Sequence, residues 1–184
     1  SSIKTAINRV MSDVESNFTY PVFVKPANLG SSVGINKAHN RGELKRFLAQ
    51  SCRYDRKILV EQGLEQIREI EVSVLGNDEP QASVCGEVKA SNEFYDYNAK
   101  YVDGKSQTII PADLPENLAE QIRRAAVTVF KTLDCAGLAR VDFFADAARN
   151  KFWVNEINTI PGFTQISMYP KLWAASGISY QDLI

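Results

Sequence analysis

Ile3, Ala6 or Ile7, Val10 and Val14 recur three or four residues apart, which predicts an amphipathic helix over residues 3–16. A β-run at 21–25, PVFVK, follows and ends on a lysine and a proline. Leu44, Phe47 and Leu48 predict a second helix over 42–51. KILVEQ (57–62) reads as a strand, EIEVSVL (69–75) alternates polar with apolar as a half-exposed strand, and 81–88 is a third. Residues 89–106 carry polar and aromatic side chains without a period, and a loop of that length is usually functional or disordered. Pro115 opens the longest helix, 115–133, with Leu118, Ile122, Ala125, Val129 and Leu133 on one face. Two strands, 137–146 and 151–158, are joined by a short turn, and a helix over 165–176 is expected to break near Pro170. Strands and helices in this mixture give an α+β chain without internal repeats, with 62–64 as the seam between two lobes.

Composition narrows the function. The chain has 184 residues, 45% hydrophobic and 23% charged, which is ordinary for a globular protein. A net charge of −1 advertises neither nucleic acid nor an anionic membrane, so any anion must be held by a few local cations. No apolar run approaches the ~20 residues of a membrane span. Cys52, Cys85 and Cys135 are odd in number and form no CxxC pair, so reduced thiols and a cytoplasmic setting are expected. His39 lies among Asn36, Lys37, Asn40 and Arg41 and reads as a solvated loop residue, which removes histidine-based triads and histidine-rich metal sites. The chain opens without methionine and closes on what looks like the start of a helix, so a fragment is expected.

Two stretches carry candidate chemistry. In KPANLGSSVG the glycines let backbone approach a ligand, successive N–H groups can form an anion nest, and Ser31 and Ser32 add hydroxyls. Lys25 adds a full charge, and the set suits a polyphosphate. It is not a Walker A loop, because no Lys-Ser or Lys-Thr pair follows the second glycine. A plain hairpin loop with an incidental lysine is the alternative. In GLARVDFFADAARNKFWVNEIN, Arg140, Asp142 and Phe144 share one strand face, and Ala139, Val141 and Phe143 the other. On the second strand Phe152, Val154, Glu156 and Asn158 share a face. A three-residue loop at Ala148, Arg149 and Asn150 sets Asp142 opposite Glu156 and Arg140 opposite Asn158. Like carboxylates side by side on a sheet repel, and a divalent cation would remove that cost. Asp142, Glu156 and Asn158 supply the oxygen ligands that magnesium prefers. An exposed hairpin face with an Arg–Asp pair is the alternative, but Val141, Phe143, Trp153, Val154 and Ile157 are apolar for that role. Pro161-Gly162 then ends the strand in a turn whose Gly162 N–H can face metal-bound reactants.

PVFVKPANLGSSVG, VEQ with EIEVSVLG, FYDYNAKY, GLARVDFF and VNEINTIPGFTQISMYPKLW together resemble the D-alanine–D-alanine ligases of the ATP-grasp superfamily. The resemblance covers nearly the whole chain in order. It implies an ATP-grasp fold: residues 1–64 as a lid lobe and 65–184 as a catalytic lobe, with antiparallel sheets clamping ATP. It implies ATP-dependent joining of two D-alanines through an acyl phosphate, for peptidoglycan precursors, with ATP and magnesium (or manganese) as cofactors. The partners it implies are small molecules, with no nucleic acid and no membrane, and a homodimer for the intact enzyme. Residue by residue, Lys25 resembles the phosphate lysine and the Ser31–Ser32 loop the flap over the phosphates. Glu61 and Leu64 fall where adenine is held, Glu69 where the ribose is bound, and Phe94 and Phe144 where adenine is sandwiched. Lys100 resembles a second phosphate lysine, and Tyr101 a loop tyrosine that closes with Ser31 over the substrate. Arg140 resembles the arginine that steadies the tetrahedral intermediate with the Gly162 N–H. Asp142, Glu156 and Asn158 match the magnesium ligands, and Ser167 the serine for the second D-alanine carboxylate.

Residues alone read more plainly: Glu61 and Glu69 as surface carboxylates, Phe94 and Phe144 as core, Ser167 as a helix cap. The sequence also departs from the family. Its N-terminal domain, with the glutamate that orients the first amine, is absent, as is the lysine before the first helix. The connection between Gln62 and Glu69 is slightly long, which sets Glu71 against Glu69 for the ribose.

Overall fold

The computed structural model describes residues 2–29, 33–89 and 107–184, with side chains from residue 7 onward. They fall into two compact units, one running to Glu65 and the other starting at Gln66.

The first unit holds helix α1 (Ser2–Asn17), strands β1 (Val22–Pro26) and β2 (Asn36–Ala38), helix α2 (Arg41–Ser51) and strand β3 (Ile58–Gln62). The three strands form an antiparallel sheet in the order β2-β1-β3. β1 alternates strictly: Val22, Val24 and Pro26 are buried, while Phe23 and Lys25 face the other side. Val22 and Val24 join Met11 and Val14 of α1 and Leu44 and Leu48 of α2 in one core. Met11 rather than Val10 fills the α1 stripe, since Ile7, Met11 and Val14 are themselves helically spaced and Val10 points outward. Asn40 caps α2 by accepting the Glu43 N–H at 3.0 Å, and the Glu43 carboxylate accepts the His39 N–H at 2.8 Å. His39 is exposed, in keeping with its reading as a loop residue.

The second unit is built on β4 (Arg68–Gly76), β5 (Gln81–Ala82), β6 (Gly86–Lys89), β7 (Gln107–Ile109), helix α3 (Glu116–Thr132), β8 (Gly137–Asp146), β9 (Lys151–Asn158) and helix α4 (Met168–Ala175). The antiparallel sheet runs β7-β6-β4-β8-β9, with β5 beside β4. Ile70, Val72 and Val74 of β4 and Ala139, Val141, Phe143 and Ala145 of β8 bury one face against α3. The buried row of α3 is Leu118, Ile122, Ala126 and Phe130. Ala125 and Val129 flank it and Leu133 is exposed, because the bulkier Phe130 takes the centre of the stripe. The strand expected over 81–88 is interrupted at 83–85, where the Ser83 N–H bonds the Ser73 carbonyl at 2.9 Å and the Ser73 N–H bonds the Ser83 hydroxyl at 3.0 Å.

On the opposite face of the sheet, α4 lies against β4, with Met168, Tyr169, Leu172 and Trp173 buried. Tyr169 bonds the Val74 carbonyl at 3.0 Å, and Ser73 bonds the Tyr169 carbonyl at 3.2 Å. A Cβ on Gly86 would lie 2.6 Å from Leu172 Cδ2, so the close approach of α4 to β6 demands glycine. Pro170 does not break this helix. It sits in the first turn, where its missing N–H has no intrahelical partner to lose.

The β8–β9 hairpin closes with a four-residue turn, not three, since Asp146 pairs with Lys151. The register then slips between Asp142 and Phe143: Phe143 pairs with Val154 and Asp142 with Glu156, leaving Asn155 as the extra residue of a β-bulge. The bulge separates two groups expected on one face. Phe152 packs on Phe143 in the core, with ring centroids 5.9 Å apart, and Ile157 packs in the same core. Glu156 and Asn158 take the other face, opposite Asp142 and Arg140. Trp153 and Val154, expected to be shielded, are exposed.

Candidate functional site

Directly opposite residues of neighbouring strands share a face. Glu69 therefore stands beside Phe144, and Glu71 beside Asp142, which in turn stands beside Glu156. The next rung holds Ser73, Arg140 and Asn158. Three carboxylates thus lie in a row across β4, β8 and β9, on the side of the sheet away from α3.

Arg140 answers part of that charge. Its Nε donates to Asp142 Oδ1 and one terminal nitrogen to Oδ2, both at 2.7 Å, in a bidentate fork. The same Nε lies 3.0 Å from Glu71 Oε2. Burial works against the guanidinium charge, but the Asp142 hydrogen bond and the carboxylates of Glu71, Asp142 and Glu156 outweigh it and raise its pKa above the ordinary value. Asn158 Nδ2 donates to Asp142 Oδ2 at 3.0 Å and to Glu156 Oε1 at 3.4 Å. Among the described residues this row sets three carboxylates beside one guanidinium.

The donor set fits magnesium by its chemistry: two carboxylates, an amide whose oxygen becomes available by a flip, and no sulfur or imidazole. Among the described residues no three His, Cys, Asp or Glu side chains converge as a finished metal cage.

Gly162 and Ser167 meet in the loop after β9. A Cβ on Gly162 would sit 3.1 Å from Ser167 Oγ, so this turn is closed around a glycine. Phe163 anchors it, with its ring 5.5 Å from Tyr169 and its carbonyl accepting the Tyr180 hydroxyl at 3.0 Å. Ser167 occupies the N-cap position of α4, yet its side chain does not cap the helix. It turns back to Thr164, accepting the backbone N–H at 3.1 Å and sharing a hydrogen with the Thr164 hydroxyl at 2.8 Å.

In the first unit, Lys25 Nζ lies 2.5 Å from Glu61 Oε2. Phe23 pairs directly with Glu61, so Lys25 reaches it diagonally along the same face. Leu64 is half-buried just beyond β3. Ser31, Ser32, Phe94, Lys100 and Tyr101 lie outside the described residues. The structure thus joins Lys25 with Glu61, Glu69 with Phe144, Arg140 with the three metal candidates, and Gly162 with Ser167. Sequence reasoning weighed Glu71 only as a rival for the ribose and missed it as a partner of Arg140. The alternation EIEVSVL put it on the polar face, but its neighbour across the sheet comes from a strand some seventy residues away.

A D-alanine–D-alanine ligase of Acetivibrio thermocellus is 58% identical over 178 residues, 97% of this chain and 47% of that protein. Its counterpart in Clostridium acetobutylicum is 53% identical over 181 residues, 98% of this chain and 52% of that protein. The chain spans about half the length of the curated relatives it matches. Among solved structures, the VanG D-Ala:D-Ser ligase of Enterococcus faecalis superposes with a TM-score of 0.85 at 36% identity, over 96% of this chain and 51% of that one. The D-alanine–D-alanine ligase of Coxiella burnetii superposes with a TM-score of 0.80 at 39% identity, over 96% of this chain and 46% of that one. The α+β architecture with antiparallel sheets is that of these ATP-grasp ligases. The family described as D-ala D-ala ligase C-terminus matches residues 1–184, and the chain belongs to it.

Proposed function

We propose that this chain carries the nucleotide-binding and catalytic part of an ATP-dependent D-alanine–D-alanine ligase, which supplies dipeptide for peptidoglycan from the cytoplasm. The observation that carries the reading is the row of Glu71, Asp142 and Glu156 with Arg140 forked onto Asp142. A surface hairpin has no use for such a row, whereas phosphoryl transfer needs metal-binding oxygens and a cation together.

In this reading residues 1–64 form the lid lobe and 65–184 the catalytic lobe. Asp142, Glu156 and Asn158 hold magnesium or manganese. When bound, the ion neutralises charge on the transferring phosphoryl group and on the oxygens beside it. Lys25 leaves Glu61 to bind the nucleotide phosphates, aided by Lys100 and the Ser31–Ser32 loop. Glu61 and Leu64 hold adenine between Phe94 and Phe144. Glu69 binds the ribose, a role its place beside Phe144 supports better than the place of Glu71 beside Asp142. The first D-alanine carboxylate attacks the γ-phosphate, giving ADP and an acyl phosphate. The amine of the second D-alanine attacks that acyl carbon, and phosphate leaves. Arg140 and the Gly162 N–H steady the oxyanion of the tetrahedral intermediate. Ser167 binds the carboxylate of the second D-alanine, and Tyr101 closes with Ser31 to exclude water from the acyl phosphate.

One solved neighbour takes D-serine, but the curated relatives at 53–58% identity are D-alanine–D-alanine ligases, and D-alanine is the second substrate we assign. The decisive experiment has two arms. Calorimetry on this chain should give heat for ADP in millimolar magnesium, and the Asp142→Ala/Glu156→Ala variant should lose it. The longer protein containing the chain should release ADP when D-alanine is added and form D-alanyl-D-alanine, resolved by chromatography from the D-serine product. Equal ADP binding by the double variant, or ADP release indifferent to D-alanine, overturns the assignment.

A further inference from the structure

Both oxygens of Asp142 are committed here. Oδ1 accepts Arg140 Nε, and Oδ2 accepts a terminal guanidinium nitrogen and the Asn158 amide. If Asp142 serves a metal ion through a remaining lone pair, the ion draws off the charge that holds the guanidinium and stands beside it as a second cation. The fork then holds Arg140 less firmly at the stage when its position matters most. Its side chain is only about a fifth exposed, so water alone is a poor replacement.

Glu71 stands ready for that moment. Its Oε2 is 3.0 Å from the Nε that Asp142 would hold less firmly. It sits in the middle of β4, between the fully buried Ile70 and Val72, with β6 on one side and β8 on the other. Its backbone is therefore fixed. Its carboxylate reaches Arg140 from the opposite strand to Glu156, so it can hold the guanidinium without joining the Asp142–Glu156–Asn158 donor set. Among the described residues, Glu71 and Asp142 are the carboxylates in ion-pair contact with Arg140.

We infer that Glu71 is a positioning residue that keeps the Arg140 guanidinium in place while Asp142 turns to the metal. This rests on the metal assignment proposed above and adds a handover to it: Arg140 is shared in the empty site and belongs to Glu71 in the loaded one. The same handover explains why the sheet tolerates a third carboxylate next to two that would suffice as ligands.

The test is nuclear magnetic resonance on this chain, following hydrogen exchange at Arg140 Nε–H. The resonance is assigned by its loss in Arg140→Lys. Wild type, Glu71→Gln and Glu71→Asp are compared with and without magnesium and ADP, and magnesium-dependent ADP binding is measured by calorimetry in parallel. In wild type the Nε–H should stay protected in both states. In Glu71→Gln it should remain protected without metal, because Asp142 still holds it, and exchange about tenfold faster or more once magnesium and ADP bind, as expected for loss of a charged hydrogen bond. Glu71→Asp, which keeps the charge on a shorter arm, should recover part of that protection. A merely structural glutamate would alter exchange equally in both states. Equal exchange with and without ligand in Glu71→Gln, alongside intact magnesium binding, overturns the handover alone. Failure of the wild type to bind magnesium with ADP overturns the metal assignment and the handover with it. Unfolding of both variants in the absence of metal makes Glu71 a support of the sheet and also overturns the inference.

Discussion

Replacing Glu156 with glutamine should stabilise the empty chain and weaken it relative to wild type once ligand is bound. Glu156 stands directly opposite Asp142 on the neighbouring strand. Strands in a sheet stand about 4.8 Å apart, and directly opposite side chains have Cβ atoms about 5 Å apart. Unit charges at about 5 Å repel by about 0.8 kcal/mol in a water-like dielectric, and by about 3 kcal/mol at an effective dielectric of about 20. Glu156 is exposed, so the lower figure applies, and its attraction to Arg140 takes part of that back, leaving a net repulsion within the range of about 0.2–1 kcal/mol for opposed like charges on a sheet. A chain of this size shifts its melting temperature by about 2–4 °C per kcal/mol, so Glu156→Gln should melt about 1–3 °C higher in chelator. A ligand at a hundredfold excess over its Kd adds about 2.7 kcal/mol to wild type. The variant, with one donor weakened, should gain much less, and the order of the two melting temperatures should reverse. Differential scanning calorimetry in chelator and in magnesium with ADP reads both effects, and added salt should shrink the first. Glu156→Gln melting below wild type in chelator refutes the repulsion argument. An equal gain from magnesium and ADP removes Glu156 from the metal site.

Three further outcomes are expected. Lys25→Met should leave the melting temperature within about 4 °C, because a partly exposed ion pair contributes about 0–1 kcal/mol, while ADP affinity by calorimetry falls at least about tenfold; unchanged affinity would remove Lys25 from the phosphate site. Gly86→Ala should destabilise by about 1–3 kcal/mol through overpacking against Leu172, and Leu172→Ala in the same chain should relieve much of that clash, as read by urea unfolding. Burial pushes the Cys85 thiol up to about 12, so a thiol reagent should label exposed Cys52 in the native chain and Cys85 only on unfolding; because the thiol ionises more readily when unfolded, Cys85 should contribute a loss of stability as pH rises above about 9, absent in Cys85→Ala.

Strands with strong local patterns were legible. The bounds of β8 and β9 and the face carrying Arg140 and Asp142 follow from alternation within a few residues. The opposition of Asp142 and Glu156 was anticipated through a three-residue turn. It arises instead from a four-residue turn plus a bulge, two departures that cancel at the site. Neither leaves a signal in hydrophobic spacing, since Phe152 and Ile157 then share a core at an odd separation. The three-residue strands β2 and β7 are too short to show a period and were not anticipated. The role of Glu71 depends on which distant strand lies beside β4, a choice made by the whole sheet and not by the residues around it.

The bulge at Asn155 has a consequence for how this hairpin can change over evolution. A strand's side chains alternate like a two-beat rhythm, and a residue added anywhere normally inverts everything beyond it. Here the added beat is swallowed at one point. Phe152 keeps time with the core, Glu156 and Asn158 keep time with the face of Asp142 and Arg140, and the two ends of β9 no longer share a single count. The tip can therefore drift in sequence under selection for solubility or folding, while the end that carries Glu156 and Asn158 keeps its own face.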